Sequence, residues 1–156
     1  MKLELNKEKI LYYQKNRDPF LMIDHVTEVV PGDYANGYKI LSKNEWFFKV
    51  HWPEDPNMPG ALQIEALTQM GALTILTEND NAGKLMYVVA ADKIKYRKKI
   101  IPEDKLIINT KLISWKRGIG VIKAESWVDD KPACSGIFTL VLTEELQKSI
   151  KKYWFT

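Results

Sequence analysis

The pattern of hydrophobic and polar positions along the chain predicts about six strands. Apolar and β-branched residues fill 20–30 and 34–42 on either side of a Pro-Gly-Asp turn, which is typical of a hairpin. Turn residues also separate four later apolar segments, and each of these is a predicted strand. The four segments are about 85–98, 105–115, 119–129 and 133–142.

The strongest helical pattern follows Pro59 and covers 61–76. Its apolar residues leave almost no polar stripe, which is typical of a helix buried on most of its sides. Pro59 is expected at the first helical position, where its missing N–H is not needed. Shorter helices are predicted over 7–15, with Asn6 as its N-cap, and over 144–152.

One long buried helix with about six consecutive strands predicts an α+β fold. Short turns between the strands favour an antiparallel sheet, and that sheet must curl to cover a helix that is apolar all round. The chain has 156 residues, a length that suits one domain over 1–156. Apolar residues make up 46% and charged residues 28%, as in ordinary globular proteins.

Charge and cysteine content narrow the classes of partner. The net charge of +3, from 23 basic and 20 acidic side chains, is too balanced to indicate nucleic-acid binding. The single cysteine, Cys134, excludes an internal disulfide, and no Cys/His cluster has zinc spacing. No apolar run approaches the ~18 residues of a membrane span, and the N-terminal residues lack the apolar core of a signal peptide. We therefore expect a cytoplasmic protein without a metal, nucleic-acid or membrane partner.

Two ionisable residues in apolar surroundings are the candidates for chemistry. His51 follows a cluster of aromatic residues, and Glu65 lies inside the apolar helix. An unpaired charge in such an environment is costly, so each residue is either satisfied by structural partners or retained for a reaction. A histidine of this kind is more often structural, whereas a glutamate is seldom buried unless it is paired. Residue type alone leaves both interpretations open.

The segment HWPEDPNMPGALQIEALTQ (51–69) resembles the active-site motif of the β-hydroxyacyl-acyl carrier protein dehydratases of the FabZ/FabA type. That motif reads H-F-P-G-x-P-x-x-P-G, followed by a helix with E or D and then A-x-x-Q. The segments RDPFLMIDHV (17–26) and DKIKYRKKIIPEDKL (92–106) resemble other parts of the same family. The resemblance extends from about residue 17 to 142.

The resemblance implies a hot-dog fold, which is a curled antiparallel sheet around one long helix, and protomers paired edge to edge. It places His51 of one protomer and Glu65 of the other at a shared active site. His51 would remove the C2 proton of a 3-hydroxyacyl thioester, and Glu65 would hold or protonate the departing C3 hydroxyl. The N–H of Gly60 would bind the thioester oxygen, and Gln69 would orient Glu65. Such an elimination is redox-neutral and requires no cofactor.

Several residues depart from the family pattern. Val50, Glu54 and Glu103 stand where the family usually has glycine, and Trp52 replaces a phenylalanine. Because glycine often marks backbone with positive φ, the loop after His51 is expected to follow a different path. The departures leave two alternatives open, which are a hot-dog thioesterase whose Glu65 activates water and a non-catalytic module that binds acyl thioesters. They also leave double-bond isomerisation open.

A basic cluster follows the long helix. Lysines and an arginine occupy one predicted strand, with the odd positions expected on one face. The cluster consists of Lys93, Lys95, Arg97, Lys98 and Lys99. It is either an ordinary solvated face or, as the resemblance implies, a surface that attracts an acidic acyl carrier protein.

Overall fold

A computed structural model describes residues 1–144 of the chain. In chain order it contains β1 (Leu3–Leu5), α1 (Lys7–Tyr13), β2 (His25–Val30), β3 (Tyr34–Ile40), α2 (Trp46–Val50), α3 (Gly60–Leu76), β4 (Met86–Tyr96), β5 (Lys105–Lys116), β6 (Ile119–Val128) and β7 (Lys131–Leu142). Within this part of the chain, no helix is long and apolar enough to cross a membrane.

The seven strands form one sheet in the order β1-β2-β3-β5-β6-β7-β4, and every neighbouring pair is antiparallel. Consecutive strands β5, β6 and β7 are joined by tight turns, so they lie side by side. Among residues 1–144, β4 pairs only with β7 and therefore forms one edge of the sheet. The α+β fold class with a curled antiparallel sheet is confirmed.

The helix α3 forms the centre of the core. Thirteen of its 17 residues are buried, including polar ones such as Thr74, which donates to the carbonyl of Gly71. The helix packs against β5, β3, β6 and β7, so the sheet covers it from several directions. Close packing requires glycine at position 71 of this helix, because a Cβ at Gly71 would lie 2.0 Å from Cδ1 of Ile122. The buried helix predicted from its apolar pattern is confirmed.

Four features of the fold differ from the predictions. The sheet has seven strands rather than about six, because β1 is only three residues long and shows no clear alternation. The helix α2, with five residues, is also too short to give a periodic signal. Pro59 is the N-cap of α3 rather than its first residue, and its carbonyl accepts from the N–H groups of Leu62 and Gln63. The strand predicted from residue 20 begins only at His25.

The late start of β2 has a physical reason. Between Phe20 and Asp24 the N–H of Asp24 donates to the carbonyl of Tyr38 in β3, but other hydrogen bonds of this segment involve side chains. The N–H of Met22 donates to Oε1 of Gln69, and Oδ2 of Asp24 accepts from the N–H of Ile40. The helix predicted over 144–152 lies outside the described residues apart from its first residue.

Candidate active site

The short helix α2 presents His51 at its C-terminal end. Phe47 and Phe48 are buried and fix the helix against the core. The N–H of His51 donates to the carbonyl of Phe47 at 2.8 Å, which makes His51 the C-cap. At the other end of α2, the buried ammonium of Lys39 lies 2.9 Å from Oε1 of Glu45. The backbone that carries His51 is therefore held at both ends.

The imidazole of His51 is held in one tautomer. Its Nδ1 lies 3.2 Å from the carbonyl oxygen of Asn57, and a carbonyl can only accept, so Nδ1 carries the hydrogen. The ring also stacks on Trp52 at a centroid distance of 4.9 Å. Nε2 is consequently left with a lone pair and can act as a base.

Two of the four departures from the family pattern have unusual backbone. Trp52 has φ 54° and Glu103 has φ 74°, both in the left-handed region that favours glycine. Glu103 is one of the positions where the family usually has glycine. The loop after His51 is further tied to the β4–β5 connection by an ion pair between Lys99 and Asp55. The sequence offered no signal for this pair, because 44 residues separate its members.

Gly60 begins α3 beside an aromatic ring. As the first helical residue, its N–H has no acceptor within the helix. A Cβ at Gly60 would lie 2.9 Å from Cζ and 3.1 Å from Oη of Tyr96. The glycine thus allows the Tyr96 ring to lie directly against the helix terminus. This contact with Tyr96 was not predicted, since residue type does not distinguish a pocket-lining aromatic from a core one.

We predict that Gly60→Ala lowers kcat/KM about tenfold with little change in melting temperature. The added methyl pushes the half-exposed Tyr96 ring over the helix N-terminus, and a group that binds there loses access. Steady-state kinetics and thermal unfolding check this. Gly71→Ala in the same helix is the control, because its Cβ meets the buried Ile122 and should lower the melting temperature instead. Unchanged kinetics in Gly60→Ala would contradict the prediction.

Glu65 is held by the side chain one turn further along α3. Nε2 of Gln69 donates to Oε1 of Glu65 at 2.8 Å and to the carbonyl of Phe20 at 2.9 Å. Oε1 of Gln69 accepts from the N–H of Met22 at 2.8 Å. The buried amide of Gln69 therefore fixes one oxygen of the carboxylate, and its own orientation is fixed by the backbone before β2.

Glu65 opens into a cavity of about 290 Å³ between α3 and β4. Asn16, Tyr87 and Val88 line the opposite wall, with Thr68 and Gln69 beside the carboxylate. His51 is not among the lining residues of this cavity. Within one chain, therefore, the imidazole of His51 does not line the cavity that contains Glu65.

The basic cluster does not keep the predicted alternation. β4 ends at Tyr96, the register shifts between Asp92 and Lys95, and Lys93 has φ 53°, so the odd positions do not share one strand face. Arg97 donates to Oγ of Ser135 at 2.8 Å, and Lys99 pairs with the loop after His51. Among residues 1–144, Lys93, Lys95 and Lys98 have no ion-pair partner.

The remaining histidine and the cysteine have structural surroundings. Nε2 of His25 lies 2.8 Å from Oε1 of Glu4, and the ring stacks on Tyr38 at a centroid distance of 5.6 Å. Burial raises the pKa of the Cys134 thiol to about 11. A thiol that stays protonated near neutral pH is a poor nucleophile.

The fold and the motif geometry together define the class of the protein. The chain belongs to the FabA-like domain family, whose model matches residues 15–136. The particular relatives are FabZ enzymes. The chain is 40% identical to the 3-hydroxyacyl-[acyl-carrier-protein] dehydratase FabZ of Syntrophomonas wolfei over 141 residues, which are 90% of this chain and 98% of that protein. It is 43% identical to the enzyme of the same name from Clostridium novyi over 118 residues, which are 76% of this chain and 83% of that protein.

Solved structures with low sequence identity share the fold. A chain of the dehydratase heterocomplex ApeI:P from Xenorhabdus doucetiae superimposes with a TM-score of 0.74 at 15% identity, covering 90% of this chain and 96% of that one. A hypothetical thioesterase from Streptococcus pneumoniae gives a TM-score of 0.57 at 15% identity, covering 73% of this chain and 81% of that one. The hot-dog fold that the resemblance implied is confirmed.

Proposed function

We propose that the protein dehydrates 3-hydroxyacyl thioesters of acyl carrier protein to trans-2-enoyl thioesters, the reaction for which its FabZ relatives are named. Nε2 of His51 takes the C2 proton, and the electron pair of that C–H bond forms the C2=C3 double bond. Glu65 protonates the C3 hydroxyl, which leaves as water. Gly60 donates its N–H to the thioester oxygen, where negative charge develops in the transition state.

The observation that carries the proposal is the Glu65–Gln69 hydrogen bond within the cavity beside β4. General acid catalysis needs a carboxyl group held within reach of the hydroxyl, and Gln69 holds this one. The tautomer of His51 supports the same proposal, because the hydrogen bond to Asn57 leaves Nε2 free to accept a proton. The C–S bond is not involved, so the thioester survives the reaction.

A dimer would complete the site. The outer side of the edge strand β4 has no backbone partner in the part of the chain that the structure describes, and the strand exposes Tyr87, Val88 and Val89. An exposed apolar edge of this kind is a template for pairing with a second copy. Tyr87 and Val88 also line the Glu65 cavity, so a partner paired along β4 would lie next to that carboxylate. In this arrangement the partner supplies the imidazole.

The unpaired lysines of the basic cluster provide a surface for the acyl carrier. Lys93 and Lys95 are exposed at the C-terminal part of β4, and the same strand ends at Tyr96 against Gly60. A carrier protein of acidic surface bound there would have its pantetheine thioester close to the helix N-terminus. We therefore assign the cluster to carrier binding rather than to catalysis.

One assay with two signals tests this function. A 3-hydroxyacyl thioester is offered on acyl carrier protein and on pantetheine alone, while enoyl absorbance and free thiol are followed. We expect enoyl formation without thiol release, and a preference for the carrier-linked substrate that shrinks as salt is added. Free thiol without enoyl would indicate a thioesterase, and tight binding without either product would indicate a non-catalytic module.

A further inference from the structure

The hydroxyl of Tyr96 lies beside the N–H that the proposed function assigns to the thioester oxygen. A Cβ at Gly60 would lie 3.1 Å from Oη of Tyr96. Because the Cβ of a residue is about 2.5 Å from its own nitrogen, Oη of Tyr96 is at most about 5.6 Å from the nitrogen of Gly60. An oxygen accepts from an N–H at about 2.9 Å and from an O–H at about 2.8 Å, so two donors this far apart can share one acceptor.

Both donors are available to a ligand. The N–H of Gly60 begins α3 and has no acceptor within the helix. The hydroxyl of Tyr96 has no hydrogen-bond partner among residues 1–144, and 52% of the residue is exposed. A ligand oxygen that approaches the start of α3 therefore meets two donors from different elements.

The backbone of Tyr96 is held at the last position of β4. Tyr96 pairs with Cys134 in β7, and the N–H of Arg97 donates to the carbonyl of Ala133 at 2.7 Å. This end of β7 is opposite to Leu142, from which the rest of the chain continues. The pairing with β7 thus extends past Tyr96 and fixes the strand from which its ring projects.

The segment after Tyr96 also holds the loop that carries the proposed base. The carbonyl of Ile100 accepts from the N–H of Met58 at 2.8 Å. The adjacent residue, Asn57, accepts from Nδ1 of His51 through its own carbonyl. The strand end that carries Tyr96 and the loop that carries His51 are therefore joined within one chain, and such fixed donors are what stabilisation of a developing charge requires.

The hydroxyl of Tyr96 keeps its proton at neutral pH. Partial burial raises the pKa of this hydroxyl above its ordinary value of about 10, and the neighbouring Cys134 acts in the same direction. A protonated hydroxyl rotates to meet an acceptor. Its hydrogen bond to an oxygen strengthens as that oxygen becomes charged, so the transition state gains more than the bound substrate does.

We propose that the hydroxyl of Tyr96 is a second hydrogen-bond donor to the thioester oxygen, beside the N–H of Gly60. The proposal rests on the proposed function for the position of that oxygen. As His51 removes the C2 proton, negative charge moves onto the thioester oxygen, and Tyr96 stabilises it without giving up its own proton. Tyr96 is then a catalytic residue that contacts the carbonyl end of the substrate, whereas Glu65 contacts the C3 hydroxyl.

The substitution Tyr96→Phe removes the hydroxyl and keeps the ring that lies against Gly60. We expect kcat for a carrier-linked 3-hydroxyacyl substrate to fall at least about tenfold with little change in KM, since the bond strengthens only as charge develops. The melting temperature should not change, because no described residue bonds to the hydroxyl. Tyr12→Phe on α1, an exposed tyrosine whose ring contacts Tyr13, is the control and should keep the wild-type kcat. A kcat of Tyr96→Phe within about twofold of the wild-type value overturns the proposal.

Infrared spectroscopy separates a donor from a ring that only packs. The probe is a saturated acyl-pantetheine thioester, isotopically labelled at its carbonyl carbon, which has no 3-hydroxyl and cannot be dehydrated. Hydrogen bonds to a carbonyl oxygen lower its stretching frequency, so the bound probe should absorb at a lower frequency in the wild type and in Tyr12→Phe than in Tyr96→Phe. Equal frequencies in the wild type and Tyr96→Phe overturn the proposal, whatever the kinetics show.

Failure of this proposal is distinguishable from failure of the proposed function. If the wild type forms no enoyl product, the proposed function fails, but the infrared comparison still decides the role of Tyr96 because it requires binding and no turnover. If the wild type dehydrates its substrate and Tyr96→Phe matches it in rate and in carbonyl frequency, only the role of Tyr96 is rejected. A wild-type protein that binds no probe would reject both.

Discussion

His51→Ala and Glu65→Gln are each expected to lower kcat/KM for a 3-hydroxyacyl thioester about a thousandfold. The first removes the proposed base, whose tautomer Asn57 fixes, and the second replaces the proposed acid, held by Gln69, with an amide that cannot donate a proton to the hydroxyl. Steady-state kinetics measure the loss, and circular dichroism verifies that both variants fold. His25→Ala is the control, because that imidazole contacts Glu4 and Tyr38 instead, and it should keep nearly the wild-type rate.

Mixing the two inactive variants tests whether sites are shared between protomers. After subunit exchange, half of the dimers combine one copy of each variant, and one of their two sites then has both groups intact. We expect about a quarter of the wild-type activity to return. Activity that stays at the level of the separate variants, after exchange has been verified, would exclude the shared site and leave His51 and Glu65 to act within one chain.

Gln69→Leu is expected to lower both stability and activity. The change leaves the buried N–H of Met22 and the carbonyl of Phe20 without their partner, at a cost of about 3 kcal/mol in the free energy of unfolding. It also releases Glu65 from its hydrogen bond, so kcat of the folded protein should fall about tenfold. Denaturant unfolding and kinetics below the unfolding transition measure the two effects separately.

The matched control lies about one and two-thirds turns earlier in the same helix. Gln63 is similarly buried, but its Nε2 bonds only to the carbonyl of Met58, and its Oε1 has no partner among the described residues. Gln63→Leu should therefore cost about 1 kcal/mol or less and leave kcat unchanged. Equal losses in the two variants would show that Gln69 acts only through burial.

The hydrophobic pattern of the sequence predicted the long elements whose apolar side chains form the core. The apolar run of 61–76 and the alternation in β6 place α3 and the sheet, because a misplaced residue there would expose the core. The short elements β1 and α2 were missed, since three and five residues give no measurable period. The strand predicted from residue 20 began late because Gln69, 47 residues away from Met22, took the place of a ladder partner.

The residues of the candidate site could be proposed from the sequence, but the contacts that hold them could not. The resemblance of 51–69 to the dehydratase motif indicated His51, Glu65, Gly60 and Gln69, and the structure brings Gln69 onto Glu65. Nδ1 of His51 bonds to the backbone carbonyl of Asn57. Every residue type has such a carbonyl, so the residue type at position 57 does not predict this contact. The face predicted for the basic cluster was wrong, because the register shift within β4 interrupts the alternation that the sequence suggested.

The order of the strands also determines when the protein can fold during synthesis. α3 is complete at Leu76, and β3 has been made by then, but β5, β6 and β7 follow later, and β4 cannot pair until β7 has been made. At a ribosomal rate of roughly 5–20 residues per second, this apolar helix stays only partly covered for several seconds. The nascent chain is thus a substrate for chaperones over most of its second half, and a ribosome stalled within β5 or β6 would release an aggregation-prone fragment.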